Sequence, residues 1–72
     1  MDVDDMRDVD WAIISVLEEG RNNAPNLADR TGYSKQYIRE RLKRLSDEGI
    51  VTNIGSGIYE LNHAEVPERD NG

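Results

Sequence analysis

Several residue types are absent or scarce in this chain of 72 residues. It has no cysteine, so it can form neither a disulfide nor a thiolate metal site, which favours an intracellular setting. No apolar run approaches the ~20 residues that a membrane-spanning helix needs. The acidic residues 1–10 are unlike a secretory or transit peptide. These absences predict one small, soluble domain in the cytoplasm.

Positive charge is scarce overall but concentrated in one segment. The net charge is −6, yet residues 21–44 carry seven basic and two acidic side chains, a local charge of +5. Residues 1–20 carry −6 and residues 45–72 carry −5. A basic segment between two acidic ones is typical of a DNA-binding face. The alternative is a solvated basic helix that only balances its flanks.

Lysine is the scarcest charged residue. The chain has two lysines against fifteen acidic residues, and its other seven basic residues are arginines. Hydrated carboxylates in excess, with few lysines, are what we expect of a protein that stays soluble in concentrated salt, as in a halophilic archaeon. Counterion release weakens as salt rises, so base contacts and DNA shape would then supply more of the affinity.

The first predicted helix begins near Asp8, a suitable N-cap, and runs to about Glu19, where Gly20 ends it. One face enters the core. Trp11 and Val16 lie off that face, so the helix needs a second cover. Two explanations remain possible. Another part of the same chain, namely the N-terminal arm, the C-terminal tail or the hairpin, covers Trp11, or Trp11 and Val16 form the interface of a homodimer. The core face comprises Ile13, Ile14 and Leu17.

Residues 27–45 have the pattern of two helices joined by a tight turn. The second helix starts at Asn23 or Ala24 and ends at Thr31, and Gly32 allows the positive φ that the turn needs. The third helix runs from about Lys35 to Glu48, with Ser34 as its N-cap. This is a helix-turn-helix, whose second helix usually enters a DNA major groove. The buried stripe of the third helix comprises Ile38, Leu42 and Leu45.

A β-hairpin is predicted after the third helix. Two β-rich runs, Ile50–Ile54 and Ile58–Leu61, flank Gly55–Gly57. The fold class is therefore mainly α with a small β-hairpin: a winged helix-turn-helix of three helices and a two-stranded antiparallel wing. We expect the winged domain to span residues 8–61, between a disordered acidic arm at 1–7 and a disordered tail at 62–72.

Three motifs carry a resemblance to a known family. They are RTGYS at 30–34, QYIRERLKRL at 36–45 with DEGIV after it, and GSGIYEL at 55–61. The chain resembles winged helix-turn-helix transcriptional regulators over residues 27–61, and is most similar to small haloarchaeal proteins related to the repressor of a halophilic-archaeal phage. The resemblance implies a transcriptional repressor or regulator that binds double-stranded DNA at specific sequences. Two features depart from it: Ala24 stands where a threonine cap is common, and residues 45–68 contain no lysine or arginine.

Candidate DNA contacts follow from the third helix. Long side chains with hydrogen-bond donors in its N-terminal half can reach the edges of the DNA bases. Basic side chains further along the helix can reach DNA phosphates. Arg41 lies near the buried stripe and should pair with an acid of the first helix instead. The wing has no lysine or arginine, so it offers phosphates only Ser56, Asn53 and backbone N–H groups, and its role can be mainly structural. The predicted base contacts are Lys35, Gln36, Tyr37 and Arg39, and the predicted backbone contacts are Arg30, Ser34, Lys43, Arg44 and Ser56.

Other functions have less support. The chain has a single histidine, His63, in the predicted tail, and no metal-ligand spacing, phosphate-binding glycine loop or nucleophile–base pair. We expect neither an enzyme nor a cofactor. The alternative is a winged-helix protein–protein interaction module, and double-stranded RNA is a weaker third option. The predicted partners are double-stranded DNA and a second copy of the chain.

Overall fold

The computed structural model describes residues 1–68. This part of the chain forms three α-helices and a small antiparallel sheet, which confirms the predicted fold class. The helix-turn-helix consists of α2 and α3, and the wing follows α3 directly. The elements are α1 (Asp8–Leu17), β1 (Asn22–Asn23), α2 (Ala24–Thr31), α3 (Lys35–Asp47), β2 (Val51–Gly55) and β3 (Ile58–Leu61).

The first helix differs from its prediction at both ends. Its N-cap is Arg7 and not Asp8, because the Asp10 carboxylate accepts a hydrogen bond from the Arg7 backbone N–H at 2.8 Å. An acidic group at this end also suits the helix dipole. The helix ends at Leu17, two residues before the expected Glu19, where the chain turns toward the sheet.

The helix-turn-helix is built as predicted. Asn23 supplies the cap that Ala24 cannot, since its side chain accepts from the Asn26 N–H at 2.8 Å. Gly32 adopts a φ of 83°, and its N–H bonds to the Ala28 carbonyl. Such a φ is costly for residues with a Cβ, so glycine lets the chain reverse here.

The sheet has one strand more than the predicted hairpin. Its order is β1-β3-β2, so the connector between α1 and α2 pairs with the wing. Asn22 lies opposite Tyr59 in this pairing. The wing turn has two central residues, Ser56 at φ 54° and Gly57 at φ 75°, and a bulge at Ile54 precedes it. Positive φ at both positions matches the twist of an antiparallel hairpin.

The core lies between the three helices and is closed by the base of the wing. Val16, placed off the core face by the sequence analysis, is only 7% exposed and belongs to this core. Trp11 is half-buried and packs against it. Val16 therefore offers little surface to a second subunit. The fully buried apolar side chains include Ile13, Leu27, Ile38, Leu42 and Leu45.

Both terminal segments contact the domain. Val3–Asp5 form a turn of 3-10 helix, where the sequence analysis expected disorder, and the Met1 amino group lies 2.9 Å from a carboxylate oxygen of Glu48. His63–Glu65 form a second such turn, and Val66 packs against the core. The rest of the predicted disordered tail, residues 69–72, lies outside the described residues.

Candidate nucleic-acid interface

The face of α3 that points away from the core carries four of the nine predicted DNA contacts. Lys35, Gln36, Arg39 and Lys43 are all exposed on it. Over residues 1–68, none of the three cations on this face forms an ion pair. They are therefore available to an anionic ligand, as base or phosphate recognition requires.

Arg41 is turned away from this face and holds α3 against α1. Its Nε and Nη2 donate to the two carboxylate oxygens of Asp10, at 2.8 and 2.7 Å. Asp10 is fully buried, and its hydrogen bonds raise the pKa of Arg41. The predicted pairing of Arg41 with an acid of the first helix is confirmed. The pair fixes the orientation of α3 against α1, and it occupies the Arg41 guanidinium, which therefore does not serve in ligand binding.

Two predicted phosphate contacts already have carboxylate partners. The Arg30 guanidinium donates to both oxygens of Glu19 at 3.0 and 2.9 Å, which draws it toward the end of α1. Arg44 lies 3.8 Å from Glu48 on the same helix. Both pairs are largely exposed, and exposed pairs contribute about 0.2–1 kcal/mol. A carboxylate therefore competes with a DNA phosphate for each arginine, although Arg30 donates to Glu19 through Nη2 alone and keeps its other N–H groups as donors.

Ser34 and Tyr37 have structural roles at the start of α3. The Ser34 hydroxyl oxygen accepts from the Tyr37 N–H at 3.1 Å, so it is the N-cap, and its own O–H remains a donor. The half-buried Tyr37 ring packs edge-on against Tyr33, with 5.8 Å between ring centroids. This contact restricts the ring, which leaves its hydroxyl end as the group that can reach a base or phosphate.

A groove separates α3 from the wing, and Arg39 lies in it. The volume of the groove is about 450 Å³. The start of α2 forms one wall and the wing turn another. Two predicted contacts, Arg39 of α3 and Ser56 of the turn, are brought together there, although they are far apart in sequence. The groove is lined by Asn23, Ala24, Pro25, Arg39, Ser56, Gly57 and Tyr59.

Sequence reasoning missed part of this groove. Asn23 and Tyr59 line it because β1 pairs with β3, and a strand of two residues leaves almost no signal of its own. The tip of the wing is neutral and partly apolar, with Ile54 43% exposed. The Asn53 side chain accepts from the Gly55 N–H at 2.9 Å, which holds the bulge and engages one of the polar groups available to the wing.

A second hollow, of about 230 Å³, lies at the other end of the sheet. It is lined by Glu18, Glu19 and Glu60 together with Arg21, so its charge disfavours an anion. No group of three acidic or histidine side chains in residues 1–68 has the geometry to hold a metal ion. Within the same residues, no helix is long and apolar enough to cross a membrane.

Three helices followed by a β-hairpin, with a cationic and exposed second helix in the helix-turn-helix, define the class of protein as a winged helix. Comparison with protein-family models is more specific. Residues 6–52 match winged helix-turn-helix DNA-binding domains, and the chain belongs to this family. Membership supports a DNA-binding regulator whose partner is double-stranded DNA. Searches of curated proteins and of solved structures find no match.

The family match has a limit within the wing. It ends at residue 52, inside β2, so the wing turn and β3 lie beyond it. The groove between α3 and the wing thus combines family residues, such as Arg39, with residues such as Ser56 that the match does not cover. The narrower resemblance to haloarchaeal phage-repressor-like proteins stays a prediction.

Proposed function

We propose that this protein is a sequence-specific regulator that lays α3 in the major groove of double-stranded DNA and acts as a repressor in the cytoplasm. The observation that carries the proposal is the row of exposed cations on α3, which form no ion pair with residues 1–68. An acidic chain that keeps these cations accessible has a surface suited to an anionic partner. Binding, and not catalysis, is the activity we assign.

The proposed base readers lie at the start of α3. Gln36 is exposed and can pair bidentately with adenine, and Lys35 can donate to guanine. Tyr37 has a smaller role, through its hydroxyl group, because its ring packs against Tyr33. Each well-placed bidentate contact discriminates against the wrong base by about 1–3 kcal/mol.

The proposed backbone contacts differ in how ready they are. Lys43 forms no ion pair with the described residues and can bind a phosphate directly, and the Ser34 hydroxyl can donate to one. Arg30 and Arg44 each lie beside a carboxylate that competes with a phosphate for the guanidinium. Their net contribution to affinity should therefore be smaller than that of Lys43.

We further propose that the protein binds as a homodimer, since two copies double the length of the recognised site. Trp11 remains the candidate for the seam because it is large and only half-buried. Val16, its predicted neighbour there, is covered within one chain and takes no direct part. A dimer that occupies a promoter can repress by excluding other proteins from it.

We also propose that the protein works in concentrated salt. This proposal is supported by the net charge of −6 and by the small number of lysines, two in the whole chain. Counterion release then contributes little, so base contacts by Lys35 and Gln36, together with DNA shape, must supply more of the affinity. Stability and DNA binding should both persist in molar KCl, and unfolding of the chain at that salt concentration would contradict this proposal.

The test is selection of binding sites from a randomised duplex pool in concentrated KCl, with sequencing of the bound fraction. We expect an enriched motif with two-fold symmetry, and a Gln36→Ala variant should lose its preference at one base pair in each half. An asymmetric single site would keep the DNA reader and reject the homodimer. No enrichment by folded protein would reject the function and favour a protein–protein interaction module.

A further inference from the structure

The groove between α3 and the wing is the part of this surface best suited to an anion. Its seven lining residues include no aspartate or glutamate, although the chain has fifteen acidic residues. Its one charged side chain is Arg39, which is exposed and forms no ion pair with the described part of the chain. The hollow at the other end of the sheet has the opposite character, with three glutamates in its lining.

The walls of the groove are held in place at two points. Asn23 caps α2 and pairs with Ile58 of β3, which ties the start of α2 to the wing. At the base of the wing, the Asn62 N–H donates to the Ile50 carbonyl at 2.8 Å and its side chain donates to the Gly49 carbonyl at 2.7 Å. The width of the groove is therefore set before any ligand binds, which lowers the cost of binding.

The polar groups in the groove are donors or can act as donors. Arg39 presents a guanidinium whose planar fork matches the oxygens of a phosphate. Ser56 at the turn and Tyr59 on β3 add hydroxyl groups. Gly57, next to Ser56, has no side chain, so a DNA backbone can approach the turn closely at this position.

We propose that this groove seats one strand of the DNA backbone, and that Arg39 binds a phosphodiester there and does not read a base. This inference rests on the proposed function, because it assumes that α3 enters the major groove. It assigns different tasks to neighbouring side chains of one helix. Gln36 faces the bases, and Arg39, on the flank next to the wing, clamps the strand that passes between α3 and Ser56.

The first test compares wild-type protein with Arg39→Gln, using the selected duplex and a scrambled duplex over a range of KCl concentrations. Arg39 is exposed, so the variant should fold, which circular dichroism verifies. We expect affinity to fall on the order of tenfold for both duplexes. The slope of log affinity against log salt should fall by ~0.9, and the preferred sequence should not change.

The second test identifies the phosphate. Duplexes that carry a single uncharged methylphosphonate, moved step by step along the site, are bound by wild type, Arg39→Gln and the matched variant Lys43→Gln. One position should weaken wild type and Lys43→Gln but leave Arg39→Gln unaffected. Lys43→Gln should be insensitive at a different position, since that lysine lies outside the groove.

The outcomes separate this inference from the function on which it rests. If Arg39→Gln keeps its salt slope and loses preference at one base pair, Arg39 is a base reader and the inference is wrong. If inorganic phosphate alone fills the groove as tightly as duplex DNA does, the site serves a free anion and the strand proposal is wrong. If wild-type protein binds no duplex, the proposed function itself fails.

Discussion

The buried pair of Asp10 and Arg41 gives the sharpest prediction about stability. Asp10 is fully buried and accepts three hydrogen bonds, one from the Arg7 backbone and two from Arg41. Removing Arg41 leaves the fully buried Asp10 carboxylate without a charged partner, and removing Asp10 leaves the part-buried Arg41 guanidinium unpaired. Breaking a buried pair in this way costs about 3–5 kcal/mol. A domain of this length has a total stability of about 4–11 kcal/mol, at the usual free energy per residue.

The variants are Asp10→Asn, Arg41→Met and the double variant. Asparagine keeps an oxygen for the Arg7 N–H, and methionine keeps the packing of the arginine stem. We expect Arg41→Met to lower the free energy of unfolding by about 3–5 kcal/mol. Asp10→Asn should lower it by less, because the Arg41 guanidinium is only part-buried. The double variant should recover most of that loss, because it buries no charge. Urea denaturation followed by circular dichroism measures all four proteins, with sulfate added if a single variant is too unstable.

The coupling between the two sites decides the result. If the losses of the single variants simply add in the double variant, the two residues do not act as a pair. If each single change costs under about 1 kcal/mol, water must reach the pair and solvate the charge that remains. Either result would refute the reasoning that Asp10 anchors α3 through Arg41.

Three smaller predictions concern caps, the turn and pH. Asn23→Ala should destabilise the fold by about 0.5–2 kcal/mol through loss of the α2 cap, measured by urea denaturation. Gly32→Ala, at φ 83°, should cost about 1–2 kcal/mol in the same assay. Hydrogen bonding between Glu48 and the Met1 amino group lowers the pKa of Glu48 and raises the pKa of the amine. Thermal melts of wild type and Glu48→Gln should therefore differ most near neutral pH.

The sign of the pH effect follows from the two shifts. The Glu48 contribution is present above the ordinary carboxyl pKa and is lost as pH falls through its lowered value. The Met1 contribution is lost as pH rises through the raised pKa of the amine. If the melting temperatures of wild type and Glu48→Gln differ by the same amount at acidic, neutral and alkaline pH, the pair does not form.

Gly49→Ala, at another positive φ, is the control for the Gly32→Ala variant.

Local patterns predicted the helix-turn-helix well. Spacing of apolar residues and good capping residues fixed α2 and α3 to within a residue, because hydrogen bonds along a helix join near neighbours in sequence. The pairing of Arg41 with the first helix was also predictable, since a charged residue beside a buried stripe needs a partner. Asp10 was the natural candidate only once α1 was known to lie against α3.

The parts that sequence reasoning missed depend on contacts between distant segments. Two asparagines form β1 because β3 offers hydrogen bonds, and no local propensity of Asn22 or Asn23 signals it. For the same reason, periodicity showed that Arg39 is exposed but not that the wing turn lies beside it. Arg30 was expected at the backbone of DNA, and only the folded chain places Glu19 within hydrogen-bonding distance.

The position of β2 at the edge of the sheet bears on how the protein avoids aggregation. An edge strand can recruit strands from other molecules, and this one has an exposed isoleucine, Ile54, near its end. The bulge breaks the regular ladder there, and the Asn53 side chain accepts the hydrogen bond of the Gly55 N–H. Only a short stretch of β2 can therefore pair with a foreign strand. In concentrated salt, where repulsion between acidic chains is screened, this geometric protection continues to act when electrostatic protection fails.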